Sequence, residues 1–107
     1  MLRNIHFFSI RPGADERRML YILDHDVAEY AKTFGCLERR TLKLLDANRR
    51  GKPMQAAAYM NESLWPSQKE ADAFTYSDPP EDTQSVLRDL LDGIELERTV
   101  RYVELDG

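Results

Sequence analysis

The sequence has one cysteine, one tryptophan and two histidines in 107 residues. A lone thiol, Cys36, closes no disulfide within the chain and cannot build a multi-thiolate zinc or iron–sulfur site, so a reducing cytoplasm is expected and no metal is. No apolar run approaches the roughly 20 residues of a membrane span. The opening MLRNIHFFSIRPG carries an apolar stretch broken by His6 and too short for a signal-peptide core, so neither export nor a membrane is expected. Five glycines, five prolines and no low-complexity run argue against a fibrous repeat or wholesale disorder. Glycine-rich phosphate loops, paired-cysteine motifs and a Ser-His-Asp order are all missing, which leaves nucleotide-dependent chemistry without a foothold.

What is present suits one domain spanning residues 1–107: 42% of the residues are hydrophobic and 32% charged, enough for a thin core that oligomerisation would supplement. The net charge of −4 is unevenly spread. Residues 38–52 hold six basic against two acidic side chains, and residues 53–107 hold four against twelve. An acidic chain with so small a basic segment is not expected to bind nucleic acid, which demands a broad cationic face.

Leu2 to Arg11 alternates two sets, Leu2, Asn4, His6, Phe8, Ile10 against Arg3, Ile5, Phe7, Ser9, Arg11, and both contain apolar residues. Such a segment reads as a strand covered on both sides. Asp15 is a plausible N-cap for a helix whose Leu20, Leu23, Val27, Ala31 and Phe34 recur at three- and four-residue steps, with Gly35 past its end. Cys36 to Asp46 alternates as a second strand, 47–53 has turn chemistry, and Met54 to Asn61 reads as the returning strand of a hairpin. Ser67 and Glu70 form a capping box for a short helix to about Tyr76. Prolines 79 and 80 break it, a second helix carries Val86, Leu87, Leu90 and Leu91 to a stop at Gly93, and Ile94 to Leu105 reads as a final strand.

This βαββαβ order, with its second helical region split in two, predicts an α+β, ferredoxin-like fold with helices on one face of a four-stranded antiparallel sheet. The other face would expose Phe8, Ile10, Leu42 or Leu44, Val100 and Tyr102. A soluble monomer rarely carries such a patch, so two copies are expected to pack sheet to sheet as a homodimer.

Three segments resemble the dimeric α+β barrels, the group that includes stress-responsive barrel proteins, EthD-like proteins and antibiotic-biosynthesis monooxygenases. They are the opening strand NIHFFSIRPG, the passage HDVAEYAKTFGCLERRTL in which His25 precedes Gly35 by ten positions, and the junction LWPSQKEADAF. The resemblance implies a small cytoplasmic homodimer whose barrel cleft binds a small organic molecule. It further implies cofactor-independent monooxygenation or proton transfer as the chemistry such a cleft supports. The haem-degrading branch is similar at Asn4 and Trp65, but its haem-ligating histidine has no counterpart, so no haem or other cofactor is expected. The alternative is a non-catalytic, stress-related or interaction protein whose barrel interior is only a dimer interface.

His6 is the first candidate catalytic residue, since an imidazole in an apolar pocket can act as a base near neutral pH. The resemblance implies that its face, with Asn4 and Phe8, lines the barrel interior; a buried, hydrogen-bonded histidine is the structural alternative. His25 is the second candidate, bordering a cleft together with Tyr21 as EthD-like helices imply, against a plain solvated helix face. Asp24-His25-Asp26 cannot share a ligand sphere, because consecutive helical residues diverge by about 100°. Tyr59, Asn61 and Trp65 are the candidates for lining a small aromatic ligand, or else for filling core. Arg39, Arg40 and Arg101 would clamp an anion if two of them turned inward, while pairing with Glu38, Glu97 or Glu104 is the simpler reading.

Overall fold

A computed structural model describes residues 1–105; of the domain expected over 1–107, residues 106 and 107 lie outside the described residues. The chain runs β1 (Leu2–Ile10), α1 (Glu16–Tyr21), a π-helical segment (Ile22–Val27), α2 (Ala28–Lys32), β2 (Glu38–Lys43), β3 (Asn48–Arg49), β4 (Lys52–Pro53), β5 (Tyr59–Trp65), α3 (Gln68–Thr75), α4 (Glu81–Gly93) and β6 (Ile94–Val103). Four strands form one antiparallel sheet in the order β2-β5-β1-β6. This is the predicted α+β, ferredoxin-like arrangement, with the helices on one face and the second helical region in two pieces.

Local chemistry sets most boundaries. Asp15 accepts a hydrogen bond from the Arg18 backbone N–H, Ser67 accepts one from Lys69 and donates to Glu70, and Gly35 takes a φ of 96° where the first helical run ends. One hairpin boundary departs from expectation. The strand predicted from Met54 begins only at Tyr59, and residues 44–58 instead form an exposed arm tipped by the two-residue hairpin β3-β4. The three alanines 56–58 lack the branched or aromatic side chains that hold a sheet surface, whereas Tyr59 onward supplies them. At the tip Arg50 and Gly51 both have positive φ, 51° and 82°, as a tight hairpin turn requires.

Strand register fixes what each face of the sheet carries. Leu2, Asn4, His6 and Phe8 lie opposite Trp65, Ser63, Asn61 and Tyr59, and this set faces the helices. Phe8, Tyr59 and Ile94 pack there against Met19, Ile22, Leu23, Val27 and Leu90; a second cluster joins Leu2 and Trp65 to Ala31 and Ala71. Phe8, 1% exposed, and Ile10 therefore do not belong to the helix-free face, contrary to the sequence reading. Alternation alone could not choose between two apolar sets. The deciding fact is the packing of Phe8 against Tyr59 under α1 and α4, rings stacked 5.3 Å apart. The helix-free face instead carries Ile5, Phe7, Leu42, Met60, Leu64, Val100 and Tyr102, crossed by Glu62, which pairs with Arg3 and Arg40 at 2.7 and 3.0 Å.

Two irregularities shape the helix-side layer. The π-helical turn adds a residue to the first helical run, so Met19, Ile22, Leu23, Val27 and Ala31 become its buried set and Leu20 is only partly covered. The β1-β6 register shifts between Phe7 and Phe8, leaving Glu97 as an extra residue on β6. That bulge places Leu96 opposite Phe8 and Thr99 opposite His6, both toward the helices although three residues apart.

Candidate functional site

Phe74 and Ser77 near the end of α3, Pro79 in the linker and Leu87 to Leu91 of α4 roof a cavity of about 290 Å³ above the centre of the sheet. Its floor is His6, Phe8, Arg39, Asn61, Ile94 and Leu96, and Leu23, Val27 and Tyr30 close one side. Most of this wall is hydrocarbon or aromatic ring, with a few converging polar groups, the composition of a small-molecule site.

The polar groups of the floor and their partners come from all four strands of the sheet. His6 Nδ1 lies 2.8 Å from Thr99 Oγ1, a contact the β6 bulge makes possible. Asn61, fully buried, sits beside His6 on β5; its Oδ1 accepts from Arg39 Nη2 at 2.6 Å, and its Nδ2 donates to Thr41 Oγ1 at 2.9 Å and to the Arg40 carbonyl at 3.3 Å. Thr41 in turn donates to Asp24 Oδ1 at 2.6 Å. Across the cavity Tyr30 donates its hydroxyl proton to Ser77 Oγ at 2.7 Å, and Ser77 donates to the Phe74 carbonyl.

Burial sets the charges. Loss of solvent, reinforced by the nearby Arg39 guanidinium, lowers the His6 pKa from 6.5 to about 4, so the imidazole is neutral at pH 7 and offers one unprotonated nitrogen. Desolvation likewise pulls Arg39 below the usual guanidinium value, though it stays cationic. Cys36, nearby on the β2 approach, is pushed upward by burial and remains a thiol. The floor thus presents a neutral base on β1 and a positive charge on β2, with Asn61 of β5 between their strands.

Of the ligand-contact residues predicted from sequence, Phe8 and Asn61 line this cavity, as does His6, the first catalytic candidate. Asn4, Tyr59 and Trp65 share the same sheet face but lie in packed core outside it: Trp65 is fully buried with its indole N–H on Ser63, and the Tyr59 hydroxyl donates to Glu16. Tyr21 and His25 stack on each other at 4.8 Å on the exposed outer side of the helical run, with His25 also bonded to Asp26. They do not line the cavity because they lie on the side of the run opposite its buried residues Met19, Ile22, Leu23 and Val27. Arg39 was visible in sequence only as one of three possible clamps; of the others, Arg40 points to the helix-free face and Arg101 pairs with Asp72. Tyr30, Phe74 and Ser77 carried no signal, since their convergence depends on how α2, α3 and the linker meet.

A larger groove of about 650 Å³ opens on the opposite face, between the sheet and the arm. Phe7, Leu42, Leu44, Leu45, Met54 and Met60 give it an apolar wall, joined by Lys43, Glu97, Arg98 and the predicted ligand residue Tyr59, with no histidine in the lining. Among the described residues no cluster of three His, Cys, Asp or Glu side chains has metal-site geometry, and no helix is long and apolar enough to cross a membrane.

No protein-family model and no curated protein sequence matches the chain. Solved structures do. SnoaB, a cofactor-independent oxygenase from Streptomyces nogalater, superposes with a TM-score of 0.67 at 10% identity, over 99% of this chain and 94% of that one. A hydroxynitrile lyase from Passiflora edulis gives 0.64 at 14% identity, over 99% and 94%. An EthD-like protein from Ralstonia eutropha gives 0.61 at 17% identity, over 94% and 88%. At such identities the likeness is one of fold: the chain has the ferredoxin-like α+β fold of these structures.

Proposed function

We propose that this protein is a cytoplasmic homodimer that binds a small organic molecule in the cavity between helices and sheet and exchanges a proton with it through His6. The observation that carries the reading is the pairing of a neutral imidazole with a buried amide and a guanidinium at one end of an otherwise apolar space. A desolvated, uncharged histidine held by Thr99 is positioned to accept a proton from an acidic C–H or O–H. Cofactor-independent oxygenation would begin with the same deprotonation. The neighbours described as an oxygenase and a hydroxynitrile lyase carry out different reactions on one scaffold, so the side chains in the cavity, not the fold, set the chemistry.

The open volume beside His6 and Asn61 supports ligand binding over the alternative of a non-catalytic, fully packed interior. The dimer rests on the helix-free face. Phe7, Leu42, Met60, Val100 and Tyr102, with the arm's Leu45 at 94% exposure, make an apolar surface that a second copy would cover.

Native mass spectrometry of gently purified protein tests both parts. A dimer carrying an added small mass is expected, and Leu96→Trp, which fills the cavity from a half-exposed position, should abolish the added mass while leaving the dimer. A retained mass indifferent to Leu96→Trp would place the ligand elsewhere, a bare dimer would favour the non-catalytic alternative, and a monomer would remove the sheet-to-sheet interface.

A further inference from the structure

Arginines in this protein that hold a carboxylate are easily found: Arg3 and Arg40 share Glu62, Arg18 has Asp89, and Arg101 has Asp72. Arg39 is different. It and Arg3 are the two half-buried arginines, yet among the described residues no carboxylate lies within ion-pair distance of Arg39. Asp24, the acid whose field reaches it, spends its own oxygen on Thr41. Its Nη2 has the Asn61 carbonyl oxygen, but its Nε is buried with no acceptor. Phe74 faces the guanidinium at 5.9 Å, which engages the flat side of the cation and leaves the in-plane Nε–H still unsatisfied.

A half-buried cation whose Nε–H is fully buried without an acceptor is costly unless one arrives. The space in which one can arrive is the cavity that Arg39 lines, and the surfaces facing it are Phe8, Phe74, Leu23 and Leu90. Aromatic and branched aliphatic walls suit a flat ring, and 290 Å³ sits at the lower end of the range for small-molecule sites, room for roughly two fused rings.

Resting on the function proposed above, we infer that the ligand is a planar aromatic compound bearing an anionic oxygen, a carboxylate or an ionised phenol or enol, and that Arg39 is the residue that selects it. Asn61 orients the guanidinium through Nη2, and the ligand's oxygen takes the remaining donors. A small reorientation of Arg39 toward the cavity on binding brings Nε into contact. With the positive charge compensated, His6 regains basicity, since Arg39 is one of the two causes of its low pKa.

Naphthoate and its uncharged analogue naphthamide, titrated separately into isotope-labelled protein and followed by NMR, test this. Both are expected to shift His6 and Phe8 resonances, with naphthoate bound about 10- to 100-fold more tightly, the range of one charge-assisted contact, and with the His6 titration moved upward in its presence. Arg39→Gln should erase the preference while leaving naphthamide binding intact, and Arg39→Lys, which keeps a charge without the planar fork, should retain part of it. If Arg39→Gln does not fold, the comparison of the two probes on the native protein and on Arg39→Lys decides. Equal affinities would overturn the anion inference and leave the cavity reading standing. If neither probe moves His6 or Phe8 at millimolar concentration, both readings fail.

Discussion

Acidification from pH 7 to pH 5 should destabilise this protein through one side chain. His6 has a pKa of 6.5 when solvated and about 4 in the fold. Because the folded value is the lower one, the unfolded chain binds more protons below pH 6.5, and stability falls as pH drops from there toward 4. At pH 5 the unfolded imidazole is almost fully protonated and the folded one hardly at all, which removes about 2 kcal/mol relative to pH 7. Carboxylates interfere little in this window. Partial burial tends to raise Glu62, but its hydrogen bonds from Arg40 and Arg3 outweigh that and hold it below 4.5, so its own loss of stabilisation begins at lower pH. Urea denaturation at pH 7, 6 and 5 measures the slope directly. The His6→Gln variant should keep a hydrogen-bonding contact with Thr99 and lose most of the pH dependence. If His6→Gln unfolds with the same pH slope as the native protein, the imidazole is not desolvated as the structure places it, and the neutral base at the cavity floor goes with it.

Two other substitutions probe the architecture. A methyl at Gly93, where α4 meets β6, would collide with the Met19 sulfur and force that buried side chain to repack, so Gly93→Ala should destabilise by about 1–3 kcal/mol in a thermal or urea melt; an unchanged midpoint would mean that Met19 finds another rotamer without cost and is not tightly packed there. Phe7→Asp should convert the proposed dimer to monomer by size-exclusion chromatography with the fold retained by circular dichroism, whereas a persistent dimer would put the interface elsewhere. Aspartate at Phe8 would not make that test, because Phe8 lies in the core of the single chain and its replacement unfolds it.

Element order was legible because each boundary has local chemistry: Asp15, Gly35, Ser67 with Glu70, and the Ser77 to Pro80 break are all read within a few residues of themselves. Facing was not. Leu2 to Ile10 is apolar on both sides, and whether Phe7 or Phe8 meets the helices is decided by partners more than fifty residues away, Met60 and Tyr59. The bulge at Glu97 leaves no mark on the alternation of β6, yet it alone allows Leu96 and Thr99 to share a face. In the first helical run His25 and Tyr21 fall opposite the buried Ile22, Leu23 and Val27, out of reach of the sheet. His6 and Asn61 stay neighbours since their strands pair directly, one opposite the other, but they lie under the helices and not, as the sequence reading had it, in an interior between two sheets.

Arg39 shows how a site arises from register. On β2 it is followed by a second arginine of identical chemistry, and β5 offers Ser63 and then Glu62 in antiparallel order. Arg40 falls opposite the glutamate and pairs with it; Arg39 falls opposite the serine and is left without a carboxylate. A one-residue slip would exchange their fates, since side chains alternate faces at every step. The same pairing that gives Arg40 a structural salt bridge therefore leaves Arg39 beneath the helices, at the place where the 76–80 linker separates α3 from α4 and exposes the sheet. Closing that gap with a longer α3 would bury the guanidinium under hydrocarbon with Asn61 as its one acceptor, a cost the open cavity avoids by admitting water or a ligand. The break in the helical layer and the unpaired arginine thus belong together: one supplies access, the other the reason access is needed.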